Sequence, residues 1–258
     1  MTSTDLIQTE LNDGVLSLRI NRPEKKNALN LAMYASLAAA LRAADLNAAV
    51  RAVVISGTDD CFTSGNDLAD FLSAPPTGMD SPVMQFLLAI SEARKPLVAA
   101  VNGAAVGVGV TMLLHCDLVY AGNSATFQMP FVSLGLCPEA GSTLLLPRIM
   151  GHQRAAELLL LGETFTAEKA CSLQIVTSVH EDAGVQAIAC SRALQLAAQP
   201  AAAVRLAKSL LKREYAAQLR ETIAEEGAQF MARLKSPEAA EALQAFMQRR
   251  KPDFSRFS

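Results

Sequence analysis

The chain has 258 residues, of which 51% are hydrophobic and 19% charged, and its formal net charge is −2. That length buries a sizeable core as one domain, or as one domain with a small appendage. The charge balance offers neither the basic footprint of a nucleic-acid binder nor the polybasic surface that a membrane attracts, so neither partner is expected.

The segment Met1 to Asn12 is polar and carries Asp5 and Glu10, unlike a signal peptide. No apolar run approaches the roughly 18 residues of a membrane span. Cys61, Cys116, Cys137, Cys171 and Cys190 are odd in number and widely spaced, which reads as reduced thiols.

In chain order, Val15 to Ile20 is strand-like, and Asn21-Arg22-Pro23 ends it. Leu29 to Ala44 has helical spacing, with Asn27 or Asn30 as its cap. Val50 to Ser56 is a β-branched strand followed by a turn at Gly57 to Asp60, and Cys61 to Leu68 reads as a loop. Phe71 to Met79, with Pro75, Pro76 and Gly78, reads as a mobile surface segment. Pro82 to Arg94 is a helix with proline in its first turn. Pro96 to Val101 is a short apolar run, the pattern of a buried strand, and it opens into the glycine-spaced turn Asn102 to Gly109. Ala125 to Gln128 is a further extended piece.

Beyond Ser142 helices dominate: Arg154 to Leu161 closed by Gly162, another opening at Thr166, then Ala183 to Ala198, Pro200 to Lys212, Tyr215 to Leu234 and Pro237 to Arg250. Ile175 to Val179 is a last strand. Strands interleaved with helices, then helices alone, give an α/β fold: a core over residues 1–198 and a helical C-terminal region over 199–258. No exact repeat is visible.

Three features bear on chemistry. Ser64-Gly65-Asn66-Asp67 and Asn102 to Gly109 are two loops that could each present one main-chain N–H to a common oxygen, as an oxyanion requires; they also read as two ordinary tight turns. Glu139, in Pro138-Glu-Ala-Gly141, sits between apolar neighbours that would raise its pKa and suit it to carry a proton. It reads equally as a helix N-terminal glutamate. His115, His152 and His180 lack metal-ligand spacing, and His115 reads as structural. No GxGxxG and no GxSxG is present, which argues against a dinucleotide fold and a serine hydrolase.

Ser64 to Leu68, Val101 to Gly109, Asp117 to Ala121 and Ala125 to Gly135 together resemble the crotonase, or enoyl-CoA hydratase/isomerase, superfamily. So do Asn21-Arg-Pro with Asn27-Ala-Leu29 near the start, and Ser236-Pro-Glu with Phe246, Arg250 and Phe254 near the end. The resemblance implies a spiral of β-β-α turns with a helical trimerisation region, assembling as a homotrimer or a dimer of trimers. It implies a CoA-thioester substrate and no separate cofactor, CoA being part of the substrate. By position, the two N–H donors would be those of Asn66 and Val108.

The subfamily turns on carboxylates. Where enoyl-CoA hydratases of this superfamily carry two glutamates, this sequence has Thr111 and Phe131. Glu139 matches instead the single glutamate of Δ3,Δ2-enoyl-CoA isomerases, and the likeness is closest to the peroxisomal type. The resemblance implies proton shuttling by Glu139 in fatty-acid β-oxidation. Another crotonase-type acyl-CoA reaction, including hydration, and a non-catalytic or RNA-binding relative that kept the fold are the competing readings. CoA would lie over Lys26, Ala28, Ser64, Gly65, Asn66, Asp67, Leu68, Gly107 and Val108, with Lys25 or Lys26 meeting phosphates. Met112, Phe131, Leu134 and Leu136 are candidates for an acyl pocket. Arg250, Lys251 and Phe254 resemble a tail that nears a neighbouring subunit's CoA. The C-terminal Arg256-Phe-Ser is not a Ser-Lys-Leu address, so the expected compartment is the cytoplasm.

Overall fold

The computed structural model describes residues 6–73, 75–248 and 250–257. The chain opens with a hairpin, β1 (Ile7–Asn12) and β2 (Val15–Ile20), turned at Asp13-Gly14, both with positive φ. Helix α1 (Leu31–Leu46) follows and leads to β3 (Ala52–Ser56), β4 (Cys61–Thr63), α2 (Leu68–Ser73) and α3 (Pro82–Glu92). The centre runs β5 (Leu97–Val101), β6 (Ala104–Val106), the short α4 (Val108–Thr111), β7 (Leu118–Gly122) and β8 (Thr126–Gln128). Next come α5 (Ser142–Met150), α6 (His152–Ala156), β9 (Phe165–Thr166), α7 (Ala167–Ser172) and β10 (Ser178–His180). Four helices end the chain: α8 (Val185–Ala198), α9 (Ala201–Lys212), α10 (Ala216–Arg233) and α11 (Pro237–Met247).

The strands sort alternately into two sheets, ordered β1-β2-β3-β5-β7-β10 and β4-β6-β8-β9. Each turn of chain leaves one strand in each sheet and then a helical segment: β3-β4 with α2 and α3, β5-β6 with α4, β7-β8 with α5. Successive turns pair in parallel, Val53 opposite Leu97 and Val98 opposite Leu118 in the large sheet, Ala105 opposite Phe127 in the small one. This is the β-β-α spiral of the crotonase fold, repeated in backbone geometry without a repeat in sequence.

The central strands are buried on both faces, which is why β5 is apolar throughout and β3 is apolar up to its terminal Ser56. One face meets the main core. The other is covered by α8, whose Val185, Ala189, Ala193 and Ala197 recur every fourth residue against Val54, Val98 and Tyr120.

Several sequence expectations are corrected here. Ile7–Asn12 is a strand, unheralded because five of its six residues are exposed on the edge of the sheet. Cys61–Thr63 and Ala104–Val106 are strands where a loop and a turn were expected, since three residues carry too little periodicity to register. The last strand lies at Ser178–His180 rather than Ile175 to Val179. Ile175 and Val176 are core residues of a turn bonded back to Ala170. Asn30, not Asn27, caps α1, accepting from Met33 N–H at 2.9 Å. Phe71 belongs to no mobile surface: it is buried in α2, packed edge-to-face on Phe230 with ring centroids 6.4 Å apart. Ala74 of the Phe71 to Met79 stretch, Arg249 of the last predicted helix and residues 1–5 lie outside the described residues. Among the described residues no helix is long and apolar enough to cross a membrane.

Candidate active site

β4 and β6 lie side by side in the small sheet, and the loops leaving them meet at one edge. Gly65 (φ +91°) runs so close to β6 that a Cβ there would lie 2.8 Å from the Val106 carbonyl oxygen. Gly109 is pressed onto β4 in the same way, its virtual Cβ 2.7 Å from Thr63 Cγ2. Both glycines are therefore required for the loops to touch. Gly107 (φ +57°) then turns the chain into α4. Among the described residues, neither the Asn66 nor the Val108 N–H donates a hydrogen bond within the protein. That of Val108 is the first of a helix and has no intrahelical acceptor. Two such N–H groups on adjoining loops can hold a developing negative oxygen.

The Lys25 to Ala28 loop is sewn to the Ser64 loop. Ser64 N–H donates to the Lys26 carbonyl at 3.0 Å, and Leu29 N–H to the Gly65 carbonyl at 2.8 Å. Asn27 is fully buried between them, its Nδ2 on the Cys61 carbonyl at 2.7 Å and its Oδ1 on Arg22 N–H at 2.7 Å. The Lys25 and Lys26 side chains are exposed at this loop, open to an anionic ligand. Asp67 is occupied internally: it takes the Arg22 guanidinium at 2.7 Å and the Ala69 N–H at 3.1 Å. Arg250 is likewise held within the chain, paired through both terminal nitrogens with Glu241.

Glu139 lies in the segment between β8 and α5 and is 5% exposed. Thr111, at the end of α4, donates its hydroxyl to Glu139 Oε1 at 2.5 Å. Burial pushes the Glu139 carboxyl up to about 7; the Thr111 hydrogen bond opposes this and the nearby Glu226 charge adds to it. A carboxyl poised there both takes and returns a proton near neutral pH. Tyr34 of α1, fully buried, donates its hydroxyl to Asn66 Oδ1, linking the Asn66 loop to the same interior. Burial and the Glu139 charge raise the Tyr34 hydroxyl well above its ordinary pKa, so it stays a donor.

Asn66 and Glu139 open onto one narrow cavity of about 20 Å³, lined by Phe71, Val83, Met84, Leu87, Gly227 and Phe230 among others. Apart from these two polar residues the wall is apolar, and much of it comes from α3 and α10. A larger cavity of about 740 Å³ between α3 and α9 is rimmed by lysines and arginines and lies away from Glu139. The structure thus brings Asn66 and Glu139 together. The expected acyl-pocket residues sit elsewhere: Met112 and Phe131 are buried in the core, with Phe131 beside Gly107, and Leu134 and Leu136 flank Gly135, which packs on α11. Sequence reasoning missed Tyr34, the Thr111 contact and all of the α3 and α10 lining. The only signal for these was a helical apolar period, which marks core and pocket alike.

Residues 10–256 match the Enoyl-CoA hydratase/isomerase family, and the chain belongs to it. It is 36% identical over 245 residues to human enoyl-CoA delta isomerase 2, covering 92% of this chain. It spans only 62% of that protein's length. It is also 34% identical to the 2,3-dehydroadipyl-CoA hydratase of Escherichia coli K12, covering 93% of this chain and 94% of that protein. The solved structure of Pseudomonas aeruginosa OdaA superposes with a TM-score of 0.93 at 51% identity, covering 95% of this chain and 99% of that one. Isomerases and hydratases therefore both stand among the relatives.

Proposed function

We propose that the protein is a Δ3,Δ2-enoyl-CoA isomerase of the fatty-acid β-oxidation type, with Glu139 as its single proton shuttle. The observation that carries this reading is that Glu139 is the one carboxylate among the described residues lining the cavity it shares with Asn66. Moving a double bond into conjugation needs one group that removes a proton from C2 of a 3-enoyl thioester and returns it to C4. Adding water needs a base for the water as well as a proton donor. At the two positions where the hydratases of the superfamily carry glutamates, this chain has Thr111, whose hydroxyl binds Glu139 itself, and Phe131.

In this reading the thioester carbonyl lies between the Asn66 and Val108 N–H groups. As Glu139 takes the C2 proton, charge moves onto that oxygen, and each well-placed donor lowers the barrier by about 3 kcal/mol. The neutral Glu139 then protonates C4. The CoA moiety lies over the Lys26–Ala28 and Ser64–Leu68 loops, where Lys25 or Lys26 meets its phosphates, and needs no further cofactor. The likeness to human enoyl-CoA delta isomerase 2 supports the same reading. Self-association as a trimer or dimer of trimers is supported by the exposed Leu206, Leu210 and Leu211 of α9.

The test is an assay with a medium-chain trans-3-enoyl-CoA beside one for hydration of a trans-2-enoyl-CoA. Fast isomerisation with negligible hydration, lost by orders of magnitude in Glu139→Gln while CoA-ester binding persists, is the expected result. Fast hydration, or a fully active Glu139→Gln, overturns it.

A further inference from the structure

Glu226 sits in the middle of α10, 7% exposed, and the proton shuttle does not touch it. Its carboxylate accepts three hydrogen bonds, all from the turn that carries Glu139 into α5. Gly141 N–H donates to Oε2 at 2.5 Å, and Thr143 donates to Oε1 through its N–H at 2.9 Å and its hydroxyl at 2.5 Å. These N–H groups belong to the start of a helix, where negative charge is favoured.

The turn needs holding. Ala140, fully buried, has φ +62°, and Gly141 has φ +73°. A left-handed alanine is strained and persists only where its surroundings over-determine it. His115 Nε2 bonds the Ala140 carbonyl from one side at 2.8 Å, and Glu226 takes the next residue from the other. Helix α10 lies directly on the turn: a Cβ on Gly141 would fall 2.2 Å from Leu219 Cδ1.

We propose that Glu226 is the positioning residue of this site: it clamps the 139–143 turn to α10 and sets a second negative charge behind Glu139. The proposal rests on the reading of Glu139 as the proton shuttle. The other titratable groups around the pair do not supply that charge. Tyr34 of α1 and the Cys137 thiol are both raised by burial, the latter to about 11, so both are neutral. His115 is pushed down to about 3 by burial and is neutral too. Arg233, in the last turn of α10, pairs with Glu238 at 2.5 Å and donates to the Gly135 carbonyl. Burial also raises Glu226, against the pull of its three hydrogen bonds. Those three donors favour the ionised form of Glu226, and its charge disfavours ionisation of the shuttle.

The test compares Glu226→Gln with Glu226→Asp in the full chain. The glutamine keeps size and one acceptor oxygen but removes the charge. The aspartate keeps the charge but withdraws it by one methylene. The first readout is a titration of ¹³C-glutamate-labelled protein followed by NMR, with the Glu139 resonance identified by its absence in Glu139→Gln. In Glu226→Gln the Glu139 titration should move to lower pH by about half a unit or more. The acid limb of kcat/KM for 3-enoyl-CoA isomerisation should move with it, and kcat should fall about tenfold with KM for the ester changed less than about twofold. In Glu226→Asp the titration should stay nearer that of the unaltered protein while kcat still falls. A Glu139 titration unmoved in Glu226→Gln overturns the proposal, even if thermal stability drops, because Glu226 would then be a structural clamp alone. Because the NMR readout needs no turnover, it stands apart from the isomerase reading, which an active Glu139→Gln would sink.

Discussion

The Thr111 hydroxyl donates to Glu139 Oε1 at 2.5 Å, joining the end of α4 to the segment before α5 in a site closed to solvent. A hydrogen bond to the ionised carboxylate favours that form, so it tempers the rise that burial imposes. Thr111→Val removes the donor while keeping the shape. The Glu139 pKa should then climb further above 7, leaving less base at neutral pH. The acid limb of kcat/KM should move to higher pH and the value at pH 7 should fall roughly tenfold, as loss of a hydrogen bond to a charged group of about 1.5–3 kcal/mol implies. Thr111→Ser should restore the limb. A Thr111→Val pH profile that overlays the parent would show that the contact has no part in tuning the base.

The raised carboxyl also has a signature in stability. The folded-state pKa of Glu139, about 7, lies above the ordinary value of 4.5. Its contribution is therefore fully present below pH 4.5 and is lost as pH rises through 7, where a buried charge must form. Glu139→Gln keeps an acceptor for Thr111 and removes that charge. Urea unfolding should show the variant more stable than its parent at pH 8, by at most about 3 kcal/mol, and little different at pH 4.5. Equal stability of the two proteins at pH 8 would mean that Glu139 is not perturbed.

Asn27 offers a test of the loop seam. It is 0% exposed and bridges Arg22 N–H to the Cys61 carbonyl. Asn27→Ala strands these partners in the interior. Unfolding in urea should show a loss of about 2–3 kcal/mol. Because the seam orders the exposed Lys25 and Lys26, KM for the CoA ester should rise several-fold with a smaller change in kcat. A variant with wild-type KM would place CoA off this loop.

Much of this architecture is legible in the residues. The apolar runs at β3 and β5, the four-residue alanine period of α8 and the glycines at 65, 107 and 109 each answer one local requirement, and each appears where the sequence puts it. Glu139 stands out because its neighbours are apolar. Glu226 does not, because Glu225 and Glu226 lie in a polar stretch of α10 and nothing local says which of them turns inward. The Thr111 contact spans 28 residues and the Glu226 contact to Gly141 spans 85, so both depend on how the spiral closes. The wall of the cavity beside Glu139 could not be read from the sequence for the same reason. Proximity in sequence favoured Phe131 and Leu136, whereas packing delivers Phe71, Met84 and Phe230 from three separate helices.

That lining yields the last prediction. Gly227 faces Met84 across the cavity, and a Cβ there would lie 2.7 Å from Met84 Cε and 2.8 Å from its sulfur. The cavity holds about 20 Å³, room for about one water, so an acyl chain enters only as these side chains give way. Gly227→Ala displaces the flexible end of Met84 into this space. The fold should tolerate it, since alanine gains up to about 1 kcal/mol over glycine within a helix, against the cost of moving one methionine tip. What should change is chain-length preference. KM for a medium-chain 3-enoyl-CoA should rise at least several-fold, each methylene denied burial costing about 0.8 kcal/mol, while a four-carbon substrate is turned over nearly as before. The ratio of kcat/KM for the two substrates, measured in both proteins, decides the matter. If the ratio is unchanged, the acyl chain runs elsewhere and the α3–α10 cavity is only a packing defect beside the base.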